Sequence, residues 1–212
     1  MLRTLFSDIF VALSLLTRIP IKVPDHAYNR TDKAVWAYFL AGIFWGLTVW
    51  FVTFSFSYLG ISISVSAALG LSAGIIATGA MHEDGLADST DGILGGWDRD
   101  QKLEIMKDSC LGVYGTLAIA LSTIVRWQLI IALFAHGFAL VSLVLVGCLS
   151  RSVLPFMMAG LNNARQEGLS HSVGRPSSPF IYFSLGITVL FAALSLKIVG
   201  LILCVVAVLV AL

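Results

Sequence analysis

The feature that most constrains this chain is residues 34–81, a run of 48 residues without a single Asp, Glu, Lys or Arg. A helix needs only about 20 apolar residues to cross a lipid bilayer, so this run is long enough for two crossings. Of all 212 residues, 58% are hydrophobic and 12% are charged, whereas soluble domains carry roughly a quarter charged residues. We therefore expect an integral membrane protein.

The apolar runs predict an all-α fold, a polytopic transmembrane helical bundle of about six membrane helices. Residues 4–17 contain a shorter apolar run that cannot span a bilayer, and we expect an N-terminal interfacial or re-entrant helix there. We expect residues 1–212 to form a single integral membrane domain. The six predicted spans are residues 35–58, 61–81, 113–134, 138–160, 180–196 and 198–212.

The basic residues predict how the chain is oriented in the membrane. The N-terminal segment, the acidic segment 82–112 and the polar segment 161–179 hold five, three and two Lys or Arg residues, whereas the turns at 59–60 and 135–137 hold none. Loops rich in Lys and Arg stay on the cytoplasmic side of a membrane. We therefore expect the N-terminus and both charged segments to be cytoplasmic.

The most informative stretch follows the long apolar run. Residues 82–92 contain four carboxylates, Glu83, Asp84, Asp88 and Asp91. On a helix the three aspartates fall on one face, within about 40° of Asp84. Carboxylates packed this densely beside apolar sequence need compensation, and a divalent cation with oxygen ligands supplies it. The alternative is an acidic, solvated loop with turn-forming Asp-Gly pairs.

Phosphoryl transfer fits these residues, because it needs mainly bound metal ions and an aligned hydroxyl group. His82 is a candidate to accept the proton of that hydroxyl, the alternative being an interfacial histidine that bonds the backbone. Arg126 and Arg151 lie inside predicted spans, where each could pair with an acid or a substrate phosphate, or extend to the interface. No phosphate-binding loop motif is present, and no basic patch interleaved with aromatics supports nucleic-acid binding.

Several motifs occur in a fixed order along the chain: Leu16 to Pro20, His82-x-Asp84-Gly85-Leu86-Ala87-Asp88-x-x-Asp91-Gly92, Leu103 to Ser109, Gly112-x-Tyr114-Gly115, Ser150-Arg151 and Ala164-Arg165-x-Glu167-Gly168-Leu169. Taken together, they resemble one family, the adenosylcobinamide-GDP ribazoletransferases, also called cobalamin synthases. The likeness extends over most of the chain, and the central motif is long and specific.

The resemblance implies a Mg²⁺-dependent, multi-pass enzyme of the bacterial cell inner membrane. It joins adenosylcobinamide-GDP to α-ribazole or α-ribazole 5′-phosphate and releases GMP. This reaction is the last assembly step of cobalamin biosynthesis. The implied cofactor is Mg²⁺, and the implied partners are these small molecules and membrane lipid. A homo-oligomer is also compatible with the resemblance. The implied residues are Asp84, Asp88 and Asp91 on the metal with Glu83 as a further ligand, Lys107 and Arg151 on phosphate, Asp108 as a polar contact, and Arg18 and Arg165 on substrate anions.

Two departures from the family pattern are visible. Cys110 stands where family members often carry Arg, which removes one phosphate contact. The family usually continues past its last apolar stretch into a polar segment with further carboxylates, so we expect this chain to be truncated and its active site to be incomplete. The acidic motif also loosely resembles that of CDP-alcohol phosphotransferases. The alternative functions are therefore a CDP-alcohol-type phosphotransferase, a small membrane transporter, or an inactive truncated subunit.

Overall fold

A computed structural model describes residues 2–210 of the chain. Within that range the backbone forms helices and turns, and no strand is present. Two short 3-10 helices, Asp25–Arg30 and Val35–Ala37, flank α2. The α-helices are α1 (Leu2–Leu16), α2 (Thr31–Ala34), α3 (Tyr38–Tyr58), α4 (Ile63–Ala77), α5 (Met81–Gly95), α6 (Arg99–Ile105), α7 (Val113–Ala135), α8 (Ala139–Ser152), α9 (Leu154–Gly160), α10 (Leu169–Val173) and α11 (Ser178–Val210).

The predicted all-α membrane bundle is confirmed, with differences in individual spans. Among the described residues, four helical segments are long and apolar enough to cross a bilayer, and α4 with α5 would add a fifth if this bent pair is one span. The last apolar run forms the shorter helix Val199–Leu209, which follows a kink at Lys197. The four segments are Asp25–Tyr58, Val113–Ala135, Ala139–Gly160 and Ser178–Lys197.

The chain packs as two compact units, and the first comprises Met1–Trp50 and Leu140–Leu212. In this unit α3 and α8 approach so closely that a methyl group on Gly42 would overlap the Gly147 carbonyl. Small residues permit such approaches between membrane helices. The pattern Gly42-x-x-x-Gly46 therefore serves packing, because a methyl group on Gly46 would lie 2.6 Å from the Leu143 oxygen.

Helix α1 packs its buried face on the segment that follows it. Val11 lies in one apolar cluster with Ala27 and Ala34. The buried Asp8 carboxylate accepts hydrogen bonds from the Arg30 guanidinium at 3.4 Å and from the Trp36 indole at 3.3 Å. The other face of α1 leaves its large apolar side chains exposed, as the predicted interfacial helix requires: Leu5, Phe6 and Phe10.

The second unit, Phe51–Ala139, contains α4 to α7. Between α4 and α5 the chain bends by 85°, where both Gly79 (φ 66°) and Ala80 (φ 56°) adopt left-handed backbone conformations. Helix α7 packs against α4 as well as α5, and the Trp127 indole donates a hydrogen bond to the Ser64 carbonyl at 2.8 Å. The bend places the whole acidic motif on α5.

Candidate active site on helix α5

The acidic stretch is helical throughout, which excludes the alternative of an open loop. Helix α5 begins at Met81, immediately after the bend, and ends at Gly95. Its first backbone bond runs from the Asp84 N–H to the Ala80 carbonyl at 2.9 Å. Four carboxylates and His82 therefore project from one rigid helix, at angles that the helical repeat determines.

Helix α5 runs antiparallel to α7. Asp91, near the end of α5, contacts Gly112 and Gly115 where α7 begins. Glu83, near the start of α5, contacts Arg126, which lies about 20 Å along the α7 axis. Since α7 is long and apolar enough to span a bilayer, the carboxylates lie alongside a membrane helix. The sequence predicted these acids on one helical face of a cytoplasmic segment, and that orientation stays a prediction.

Glu83 forms an ion pair with Arg126. Arg126 NH1 donates to Glu83 Oε1 at 2.7 Å, and only 11% of the Glu83 side chain is exposed. An arginine inside a span is costly unless an acid or another polar group accompanies it. The sequence predicted that Arg126 would pair with an acid or a phosphate, and the structure supplies Glu83 as the acid.

Asp91 is buried and binds the backbone at the N-terminus of α7. Its Oδ2 accepts the Gly112 N–H at 2.8 Å, and its Oδ1 accepts the Gly115 N–H at 2.9 Å. The first N–H groups of a helix lack partners within the helix and favour a negative charge. Asp91 therefore caps α7 from another helix, an arrangement that nothing in the sequence pattern around Asp91 indicates.

Asp84 and Asp88 lie beside the stripe of α5 that contacts α7, about 20° and 60° around the axis from Asp91. Asp84 is exposed and Asp88 is half-buried. Gly85 stands next to Asp84, and a methyl group on it would meet no atom within 4 Å. Asp84 therefore stands beside open space, whereas the Glu83 and Asp91 side chains contact α7.

His82 does not share the face of these two aspartates. The helical repeat sets His82 about 160° from Asp84 around α5. The residues on its side of the helix include the exposed Leu86 and Ile93. The structure therefore does not bring His82 and Asp84 together, and the role of His82 as proton acceptor stays a prediction.

Helix α6 covers the far end of α5. A methyl group on Gly92 would lie 2.7 Å from Met106 Cε, so only glycine leaves room for this contact. Asp98 caps α6 by accepting the Gln101 N–H at 2.9 Å. Lys107 and Asp108 follow directly and are exposed. They follow the helix that packs on α5, and the phosphate-binding role of Lys107 stays a prediction.

Asp108 also sets the local electrostatics of Cys110. Its Oδ1 accepts the Cys110 backbone N–H at 3.1 Å. Hydrogen bonding to Asp108 and the negative charge of that carboxylate raise the pKa of the exposed Cys110 thiol above its usual value. The thiol is therefore protonated at neutral pH, and it offers a substrate phosphate no positive charge.

The remaining predicted anion-binding residues belong to the first unit. Arg151 is buried, with its guanidinium 5.5 Å from the centre of the Trp45 ring and its NH1 donating to Ser150 Oγ at 2.6 Å. Arg18 is exposed and Arg165 is half-buried. Arg151 is therefore shielded from water and contacts other side chains, whereas Arg18 and Arg165 are more exposed to water.

The described residues contain no group of three or more His, Cys, Asp or Glu side chains that converge as metal ligands. Glu83 pairs with Arg126, and Asp91 binds the backbone at the N-terminus of α7. Mg²⁺ is commonly held by one or two carboxylates together with waters and substrate phosphates. Asp84 and Asp88 fit that pattern as a pair, so the metal remains compatible with this site.

Comparisons with known proteins agree with the resemblance found in the motifs. A family model described as cobalamin-5-phosphate synthase matches residues 8–212. A protein of Mesorhizobium japonicum is 39% identical over 82% of this chain and 68% of its own length, and one of Bradyrhizobium diazoefficiens is 37% identical over 91% and 75%. Both are named adenosylcobinamide-GDP ribazoletransferase.

No solved structure matches the chain. The family match extends across α5, α6 and the start of α7, so it includes every residue of the acidic helix and its partners. The two relatives cover most of the chain at more than a third identity. The chain is a membrane enzyme and belongs to the cobalamin-5-phosphate synthase family.

Proposed function

We propose that this chain joins adenosylcobinamide-GDP to α-ribazole or α-ribazole 5′-phosphate in a Mg²⁺-dependent reaction that releases GMP. The names of the two relatives support this choice of substrates, since each is called an adenosylcobinamide-GDP ribazoletransferase. A ribose hydroxyl oxygen forms a bond to the phosphorus attached to cobinamide. The bond from that phosphorus to the GMP oxygen breaks, and the hydroxyl proton is released.

One observation carries the proposal: Asp84 and Asp88 lie one turn apart on α5, a helix that packs along α7, which is long and apolar enough to span a membrane. Ionised side chains beside such a helix are expensive in lipid, so they ordinarily face a polar cavity and mark a functional site. An apolar side chain would avoid this cost. The two carboxylates therefore indicate binding chemistry that outweighs it.

Asp84 and Asp88 are the residues that would hold Mg²⁺, with substrate phosphate oxygens and waters completing its ligands. When bound, the metal supplies positive charge for a diphosphate and for the charge that develops on its oxygens. The open space beside Gly85 leaves room for a bulky phosphate ester next to these carboxylates. Glu83 and Asp91, predicted as ligands from the sequence, are assigned no metal contact in this proposal.

The surrounding residues supply orientation and charge. Arg126 neutralises Glu83, which lowers the negative charge that a diphosphate would meet on α5. Lys107, one residue after the Met106 that packs on Gly92, is the proposed phosphate contact within this unit. Arg151, Arg18 and Arg165 remain proposed contacts for substrate anions. The proposed location is the bacterial inner membrane, and the substrates are proposed to reach α5 from the cytoplasm.

Nucleotide release by the purified chain in detergent tests the proposal. With adenosylcobinamide-GDP and α-ribazole 5′-phosphate we expect GMP to appear with Mg²⁺ and not with excess EDTA. Asp84→Asn and Asp88→Asn should each lower turnover by about a hundredfold or more, because a neutral amide is a poor magnesium ligand. A matched variant outside the site, Asp100→Asn, removes an exposed acid from the same unit.

Release of CMP from a CDP-alcohol, without GMP from adenosylcobinamide-GDP, would contradict the substrate assignment. Turnover that persists in EDTA would contradict the metal dependence. Near-normal turnover in both Asn variants would remove α5 from the catalytic site, even if GMP were the product. A bell-shaped pH profile that loses its lower limb in His82→Gln would assign His82 as the proton acceptor.

A further inference from the structure

The four carboxylates of α5 divide into two pairs with different surroundings. Glu83 and Asp91 lie eight residues apart, with the buried Ala87 midway between them. Residues at this spacing form one stripe along a helix, within about 80° of each other. That stripe faces α7, because Glu83 contacts Arg126 and Asp91 contacts Gly112 and Gly115.

The contact at Asp91 depends on glycine in α7. A methyl group on Gly115 would overlap the Asp91 carboxylate and lie 3.0 Å from the Ala87 carbonyl oxygen. A methyl group on Gly112 would overlap the same carboxylate. Two glycines at these places let the carboxylate approach the first N–H groups of α7, so the sequence of α7 is adapted to receive Asp91.

Ligation of a metal by Asp91 conflicts with this arrangement. Both carboxylate oxygens already accept backbone N–H groups, at 2.8 Å and 2.9 Å. The carboxylate also lies at the N-terminus of a helix, which stabilises its negative charge without a metal. If Asp91 turned away to reach a cation, the Gly112 and Gly115 N–H groups would lose their acceptor.

The contact at Glu83 fixes the opposite end of α5. The pair with Arg126 joins the first turn of α5 to the middle of α7. A buried ion pair resists the removal of either partner, because the remaining charge is left without compensation. With one contact near each end, α5 can neither slide along α7 nor rotate on it.

We propose that Glu83 and Asp91 are positioning residues that fix the register and rotation of α5 against α7, and thereby determine where Asp84 and Asp88 stand. The effect on turnover rests on the function proposed above, whereas the effect on the α5–α7 contact does not. A shift of α5 by one residue would turn Asp84 through about 100°. The carboxylates would then lose the side of α5 that has open space.

The test compares Asp91→Asn and Gly115→Ala with Asp84→Asn in purified protein. Gly115→Ala removes no carboxylate and disturbs the approach of Asp91 and of the Ala87 carbonyl to α7. We expect both Asp91→Asn and Gly115→Ala to lower the unfolding temperature in EDTA and to lower kcat per folded molecule at least tenfold. The Mg²⁺ concentration for half-maximal turnover should change less than threefold in both. Asp84→Asn should leave the unfolding temperature in EDTA unchanged and raise that concentration more than tenfold.

Three further variants keep the result decisive. Gly85→Ala, which adds the same methyl group to α5 in open space, should not lower the unfolding temperature. At the other end, Arg126→Met should lower kcat per folded molecule, and Arg126→Lys, which retains the charge, should restore most of it. A purely structural role would reduce only the folded fraction and leave kcat per folded molecule unchanged.

The proposal is overturned if Asp91→Asn behaves like Asp84→Asn, with an unchanged unfolding temperature and a more than tenfold rise in the Mg²⁺ requirement. It is also overturned if Gly115→Ala matches the unsubstituted protein in stability and kcat. If Asp91→Asn does not fold, Gly115→Ala and Arg126→Lys still decide the outcome. If no variant, including the unsubstituted chain, turns over the substrates, the proposed function fails, and the unfolding temperatures in EDTA alone decide the role of Asp91.

Discussion

At the residue scale, the exposed connection between α6 and α7 shows how one carboxylate controls a neighbouring group. Asp108 accepts the Cys110 backbone N–H and raises the pKa of the Cys110 thiol. The thiolate is the reactive form of cysteine, so a raised pKa slows alkylation near neutral pH. Cys110 is exposed, whereas Cys148 and Cys204 are buried.

We predict that Asp108→Asn accelerates alkylation of Cys110 at pH 7.5 by roughly two- to fivefold, because removing the negative charge lowers the pKa of the thiol. Iodoacetamide labelling followed by mass spectrometry of the Cys110 peptide measures the rate. Asp100→Asn, which changes an acid on α6, is the control and should leave the rate unchanged. An equal or slower rate in Asp108→Asn would contradict the electrostatic account.

The residues of α5 also show which features of the site the sequence predicts and which it does not. The helical spacing of Asp84, Asp88 and Asp91 was readable because it depends only on the backbone repeat. The partners of Asp91 were not readable, since they are N–H groups of Gly112 and Gly115. Every residue except proline carries such a group, so only the folded chain shows which acid it meets.

At the element scale, the bend between α4 and α5 creates the site. The run 61–81 is uncharged to its end, so hydropathy predicts one straight span and not a helix that stops at Ala77. What ends α4 is local: the Thr78 hydroxyl bonds the Gly74 and Ile75 carbonyls, and two left-handed residues follow. Hydropathy depends on composition alone and therefore does not predict backbone conformations of this kind.

We predict that Ala80→Gly stabilises the protein by about 1 kcal/mol, because a left-handed conformation is strained in alanine and not in glycine. Ala68→Gly, the same substitution at an exposed position within α4, should instead destabilise it by about 1 kcal/mol. Thermal unfolding of both variants in one detergent gives the comparison. A lower unfolding temperature for Ala80→Gly would show that the bend does not hold Ala80 as described.

The glycine contact between α3 and α8 sets how closely these two helices approach. A methyl group on Gly147 would overlap the Gly42 carbonyl, so the two helices would have to separate. We predict that Gly147→Ala lowers the unfolding temperature by roughly 5 °C or more, as overpacking of a close contact does. Gly186→Ala on α11, where the methyl group meets no atom within 4 Å, is the control and should cause no decrease.

At the scale of the whole molecule, composition alone predicted the membrane bundle, because few charges and long apolar runs admit no other class. The positive-inside pattern adds an orientation, which stays a prediction. Since α7 separates Asp100 from His136 by a complete span, the two positions should lie on opposite sides of the membrane.

In a cysteine-free background we predict that His136→Cys is labelled by a membrane-impermeant maleimide from outside intact spheroplasts. Asp100→Cys should be labelled only after the membrane is opened, because the acidic segment is expected on the cytoplasmic side. The Leu59-Gly60 turn offers a second outside position as a control. The reverse labelling pattern would invert the orientation and place α5 on the other side of the membrane.

The measurement that tests the central claim most directly is a structure of the full chain with Mn²⁺ and adenosylcobinamide-GDP, in which anomalous scattering locates the metal. We predict a metal within ligand distance, about 2.2 Å, of oxygens from Asp84 and Asp88 and of the diphosphate. Asp91 should still accept the Gly112 and Gly115 N–H groups. A metal bound by Asp91 or Glu83, or a diphosphate bound away from α5, would contradict the account.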